Sequence, residues 1–258
     1  MSDRALQDAV IRAIVDAPFR ASPEWRDRKL VDPDRLERYA RFVARHFYHE
    51  RIVHFFKYSR ALARVTGRRP EAVPRDPAFD AFLPGAVLGS RATARLVAGL
   101  VTAYVRDGGP YPAIPYLDDL LAYEEAMMVV EAGPRVWRDG TEPKGAGSGE
   151  QYPPARVEGT AFLELGHDLP AVLPQLLQPW TEVPRAPVRA TRLLVARSRH
   201  GRVAVVRPDE STARVLQLAD GTRTADELAR VAGLGPGDLD AALQGLFELG
   251  AVRFSAGS

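Results

Sequence analysis

The chain has 258 residues, 46% of them hydrophobic, and carries 35 basic against 33 acidic side chains for a net charge of +2. That length fits one large or two small domains with an adequate core, and so small a charge excess implies no strongly basic surface. Cysteine is absent, which removes disulfides, thiolate metal sites, iron–sulfur clusters and cysteine nucleophiles together.

The N-terminal run MSDRALQDAVIRAIV is broken by Asp and Arg and has no signal-peptide apolar region. No apolar run approaches the ~18 residues of a membrane span. The expectation is a soluble cytoplasmic protein. Leu6, Val10 and Ile14, with Ile11 beside them, predict an amphipathic helix over 3–16, and 17–30 reads as irregular. Asp32-Pro33 opens the longest helical pattern, to about Val65. Leu36, Tyr39, Val43 and Phe47 follow the inward period, and Arg38, Arg41 and Arg45 fall on another face. The aromatic surface of Phe55, Phe56 and Tyr58 is wider than one stripe, as in a helix that is central or touches a partner. Residues 67–83 read as a loop, 84–105 as a second helix, and 116–131 as a third.

Residues 139–154, DGTEPKGAGSGEQYPP, combine Gly, Ser, Pro and charge without periodicity and read as a hinge. A strand over 156–165 and a short helix over 169–177 follow. The division predicted is a helical domain over 1–137, a hinge over 138–154, and a second domain over 155–258.

The last quarter has the clearest local grammar. Val and Leu fill two β-type runs, 192–197 and 202–207, around the turn Ser198-Arg199-His200-Gly201. Asp209 is an N-cap for a helix through Leu218, and Asp220-Gly221 stops it. Thr224 and Glu227 form a capping box, with Leu228 and Val231 facing inward and Gly233 closing the helix. Gly235-Pro236 opens a third helix with Leu239, Leu243 and Leu246 at i, i+4, i+7, ended by Gly250. Val252 and Phe254 form a short returning strand. A hairpin, three short helices and an extended stub make a small winged-helix-like module.

The stretch Leu218-Ala-Asp-Gly221 through Glu227-Leu-Ala229, followed by a helix ending in Leu-x-x-x-Gly-x-Val, resembles the RiPP recognition element. That is the peptide-binding fold of the PQQ-biosynthesis chaperone, and RiPPs are ribosomal peptides modified after translation. With the helical first half and the segment 167–170, His-Asp-Leu-Pro, nearly the full chain resembles partner subunits of multinuclear non-haem iron oxidative enzymes of the methanobactin and 3-thiaglutamate type. The fold class expected is therefore α+β, an N-terminal helical bundle plus a winged-helix-like recognition domain.

The resemblance implies a non-catalytic subunit, without a cofactor or metal of its own, that binds a precursor leader by strand addition and presents it to the iron enzyme in a heterodimer. The peptide groove expected from it comprises Arg202, Val203, Ala204, Val205, Val206 and Arg207 with Leu239, Leu243 and Leu246 of the third helix. Arg192, Arg197, Arg199, Arg202 and Arg207 make the hairpin basic, which suits an acidic leader. The Arg- and aromatic-rich helix 33–65 is the expected docking face, through Arg45, His49, His54, Phe55 and Tyr58.

Three other readings fit the residues less well. A winged-helix transcriptional regulator needs a basic recognition helix, but 235–250 carries Asp238, Asp240 and Glu248 and no Lys or Arg. His46, Glu50 and His54 align at four-residue spacing beside His49, as metal ligands can. The pattern is nevertheless neither H-E-x-x-H nor H-x-x-E-H, and hydrogen-bonded or partner-facing histidines fit better. His167-Asp168 suits an Asx-type cap better than an acid–base dyad. No G-x-S-x-G, phosphate loop or dinucleotide fingerprint occurs, and Gly145, Gly147 and Gly149 lie in the hinge without strand-then-helix context.

Overall fold

The computed structural model describes residues 3–28, 32–108, 114–132, 153–198 and 200–254. Nearly all of the predicted hinge lies outside them. The fold is α+β and forms two compact units, Met1–Met128 with Pro170–Arg185, and Val129–Leu169 with Ala186–Ser258. The segment 170–185, drawn from sequence into the C-terminal domain, thus groups with the helical unit. No described helix is long and apolar enough to cross a membrane.

In the helical unit, α1 (Asp3–Val15) leads into α2 (Ala17–Ala21) and α3 (Pro23–Arg26), where an irregular stretch was expected. Asp16 and Ser22 cap these two short helices, each followed directly by helix-compatible residues with a Pro in the first turn. The long α4 (Pro33–Phe55) is capped by Asp32 as predicted. Its buried stripe is Ala40, Ala44, Tyr48, Ile52 and Phe55. Tyr39, expected inside, is exposed. Small alanines allow α4 to pack closely, so the inward phase is set by Ala rather than by the larger residues.

The helix predicted to reach Val65 is broken, and α5 (Lys57–Ala61) and α6 (Ala63–Thr66) follow as separate short helices. The break has no Pro or Gly. Its cause is Glu124 on α9, whose carboxylate accepts the amides of Tyr58 (2.7 Å) and Ser59 (3.2 Å) and the Ser59 hydroxyl. Those amides would bond to carbonyls four residues back in a continuous helix. The kink buries both Phe55 and Phe56, so the wide aromatic surface is core and needs no partner to explain it.

The stretch read as a loop holds a 3₁₀ turn (Pro70–Arg75) and α7 (Pro77–Phe82). The next helix, α8 (Arg91–Arg106), begins later than predicted, because Ser90 caps it and the chain before it bonds to the end of α1, Leu88 N–H to the Val15 carbonyl at 2.8 Å. After it come α9 (Leu117–Glu131) and α10 (Leu169–Leu176).

In the second unit the single strand expected over 156–165 is two, β1 (Pro154–Arg156) and β2 (Ala161–His167), separated by a turn with Gly159 at φ 93°. Next are β3 (Val188–Arg197) and β4 (Val203–Val206), then α11 (Glu210–Leu218), α12 (Ala225–Ala232), α13 (Pro236–Glu248) and β5 (Val252–Phe254). One antiparallel sheet has the order β2-β3-β4, and β5 pairs instead with β1. The Asp209 cap and the Thr224–Glu227 capping box form as predicted, as do the left-handed glycines 221, 233 and 250. Gly250 is doubly required, with φ 71° and space for no side chain, since a Cβ there would lie 2.2 Å from the Arg197 carbonyl oxygen. Leu194, Ala196, Val215, Leu228, Leu239 and Leu246 belong to the core of this unit, while Val231, expected inward, is exposed.

Burial pushes the Glu124 carboxyl up to about 8, against the opposing pull of the Ser59 hydroxyl, the two amides and Lys57. Because its folded value lies above the ordinary 4.5, its contribution to stability is complete below about pH 4.5 and is lost as pH rises through about 8. Glu124→Gln keeps an acceptor for the two amides and has no titrating proton, so urea unfolding of this variant should lose that pH dependence while remaining cooperative. Glu124→Ala orphans the buried Ser59 amide and hydroxyl and the half-buried Tyr58 amide, and should lose about 3 kcal/mol or more at pH 6.

Candidate functional site

The site is built on the β3–β4 hairpin. Ser198 accepts the Gly201 amide (2.8 Å) and donates its own to the Arg202 carbonyl (2.8 Å), with Gly201 at φ 77°. This is a three-residue loop with a glycine bulge, which fixes the register. The register pairs Ala196 with Ala204 and Leu194 with Val206. Counting by twos from Ser198 and Arg202, these are the hydrogen-bonded pairs, so the N–H and C=O of Val203 and Val205 point away from β3. Among the described residues no strand pairs with that outer side.

Side chains alternate across the ribbon. Ala204 and Val206 share the face of Ala196 and Leu194, toward the three-helix core, and Val203 and Val205 share the opposite face with Arg197 and Val195. All four β4 residues are half-buried. The other sheet edge, β2, is less regular: its pairing with β3 shifts between Leu165 and His167, and Glu164 projects from it. Bulges and charges are devices that discourage strand addition, and β4 has neither.

The structure corrects the groove drawn from sequence. Leu239, Leu243 and Leu246 are buried in the core, because α13 has one apolar stripe and α11 and α12 occupy it. The exposed charges of α13 are Asp238, Asp240 and Glu248. The basic hairpin is also largely neutralised from within. Arg192 pairs with Glu210 (2.5 Å) and Glu164 (3.3 Å), and Arg197 donates to the carbonyls of Glu131 (2.6 Å) and Gly201 (3.3 Å). Arg207, expected to meet the peptide, instead shares the carboxylate of Asp168 with Arg189. Arg199 lies outside the described residues. Arg202 has an exposed side chain with no partner among the described residues.

The Asp168 clip escaped the sequence reading, which left His167-Asp168 as a cap. Asp168 is only 4% exposed. Its carboxylate joins the start of β3 to the end of β4, and its amide donates to the Pro187 carbonyl at 2.9 Å. No local pattern announces a carboxylate whose partners lie 21 and 39 residues away.

The expected docking residues do not form one face. Phe55 is core, 8% exposed. Tyr58 is half-buried beside Tyr123, Arg45 is ion-paired with Asp80, His49 lies 3.6 Å from Glu50, and His54 packs edge-on against Phe55. His46 stacks on Phe42. Among the described residues no three His, Asp or Glu side chains converge as metal ligands do.

Asp168→Ala should cost about 1–3 kcal/mol in urea unfolding, because it strips two charged donors of their acceptor. Amide exchange should accelerate at the start of β3 and the end of β4 while α12 stays protected. A variant as stable as the parent would show that the clip contributes nothing.

A scan against protein-family models finds no match for this chain, and a search of curated proteins finds none either.

Proposed function

We propose that the chain is a non-catalytic partner subunit in the maturation of a ribosomally made peptide. It binds the precursor's leader as an added strand on β4 and presents the rest of the peptide to an iron-dependent oxidative enzyme in a heterodimer. One observation carries this reading: the amides and carbonyls of Val203 and Val205 face outward on an edge that the protein's own described backbone leaves unpaired. An extended guest completes such an edge by main-chain bonds, with alternate side chains giving specificity. The order β3-β4, α11-α12-α13, β5 matches the hairpin, three short helices and extended stub on which the resemblance rests, and β5, paired with β1, does not compete for the edge.

The work done is positioning. Holding the leader raises the effective concentration of the core peptide at the enzyme and fixes its orientation, and no proton or electron moves on this subunit. Its place of action is the cytoplasm, where a chain without cysteine loses nothing to a reducing milieu. The acidic exposed side of α13 weighs against duplex DNA as the ligand, since it would repel the phosphate backbone.

Titrating the protein with synthetic peptides from any short reading frame neighbouring its gene tests the proposal, with leader-dependent binding at micromolar levels expected. Val205→Pro removes an outward N–H without touching the β3 ladder, so the fold should survive and affinity should fall at least about tenfold. Equal affinity for parent and Val205→Pro would rule out strand addition at this edge.

A further inference from the structure

Among the described residues, a second face of α4 is exposed. Its inward stripe is complete without Arg35, Tyr39, Phe42 and His46, which recur at intervals of four, three and four along the outer side. Tyr39 is 53% and Phe42 65% exposed. The His46 ring lies parallel to Phe42, tilted by 5° at a centroid distance of 6.4 Å, so the apolar surface is continuous over two turns. Single exposed aromatics are ordinary, whereas adjacent ones on a helical repeat form a patch.

The charges around the patch are unbalanced. Glu37 holds Arg20 (2.5 Å) and Arg41 (2.9 Å), and Asp80 holds Arg45. Asp32 is committed to the helix cap, accepting the Arg35 amide at 2.8 Å. The guanidinium groups of Arg35 and Arg38 have no partner among the described residues. Asp34 sits in the first turn, where the helix dipole favours it. Among the described residues, Arg35 and Arg38 are thus unpaired cations bordering an aromatic seam whose neighbouring carboxylates are mostly engaged.

We infer that this stripe docks an amphipathic helix of a partner protein, one with acidic residues flanking its apolar seam. Alternating intervals of three and four residues are the spacing at which side chains of two helices interlock. Tyr, Phe and Arg are the residue types that concentrate binding energy at such contacts. Opposite charge on the partner helix satisfies Arg35 and Arg38 and steers the encounter. The inference rests on the proposed function in one respect, that the partner to be probed is the oxidative enzyme. It moves the docking face away from Phe55, on the inward stripe of α4, and Tyr58, on α5, to the exposed side of α4.

The test titrates the full chain and three variants with that enzyme by calorimetry, and in parallel with the precursor peptide. Phe42→Glu should weaken enzyme binding by about 30-fold or more, the loss typical of a central aromatic anchor. Arg38→Glu should weaken it and flatten its salt dependence. Leu96→Glu, at an exposed position on α8, should change nothing. All three should keep the parent's melting temperature and precursor affinity. Undiminished enzyme binding by Phe42→Glu overturns the inference. So does a parent dimer in sedimentation that Phe42→Glu abolishes, which would make a second copy the occupant, or binding of a single-stranded oligonucleotide that depends on Phe42. If the parent binds the precursor but not the enzyme, docking fails and leader binding stands. If it binds the enzyme through this stripe but not the precursor, the leader-binding reading fails and the docking face stands.

Discussion

Every backbone amide and carbonyl needs a partner, and in the small sheet β3 is paired on both sides while, among the described residues, no strand pairs with the outside of β4. The glycine bulge at the hairpin turn fixes which residues of β4 look outward, and Gly250 packs against the carbonyl of Arg197 where β3 enters that turn. The Asp168 carboxylate ties the opposite ends of β3 and β4 through Arg189 and Arg207. The ribbon is thus held at both ends, while among the described residues no strand pairs with its outer margin. The chain even has a spare strand, β5, and pairs it elsewhere, with β1.

Charge follows the same logic of internal use. The hairpin is rich in arginine, yet Arg192, Arg197 and Arg207 are occupied by Glu164, Glu210, two carbonyls and Asp168. Guanidinium groups with several fixed donors are suited to such structural bridging. Among the described residues, Arg202 keeps its side chain exposed and unpaired beside the outer margin of β4. On α4 the pattern repeats, with Arg41 and Arg45 engaged and Arg35 and Arg38 left over.

The helical unit turns on Glu124. By taking the amides of Tyr58 and Ser59 it stops α4, redirects the chain, and places two consecutive phenylalanines in the interior. A buried carboxylate is costly unless it is hydrogen-bonded, and this one receives its donors from the orphaned first turn of α5. The termination of α4 is therefore a tertiary event written at a residue 65 positions away.

The sequence by itself determined what is local. Asp209, the Thr224–Glu227 box, Gly233, Gly235-Pro236 and Gly250 define the C-terminal helices, because caps and left-handed glycines act through bonds within three or four residues. The hairpin turn and the alternation of β4 were legible for the same reason. Only the tertiary structure decided which arginines are free, that Leu239, Leu243 and Leu246 are core rather than groove, that α4 breaks at Phe56, and that its inward face runs through Ala40 and Ala44. Each of these depends on a partner far along the chain, and neither periodicity nor composition encodes which distant group will arrive to satisfy a charge or a backbone amide.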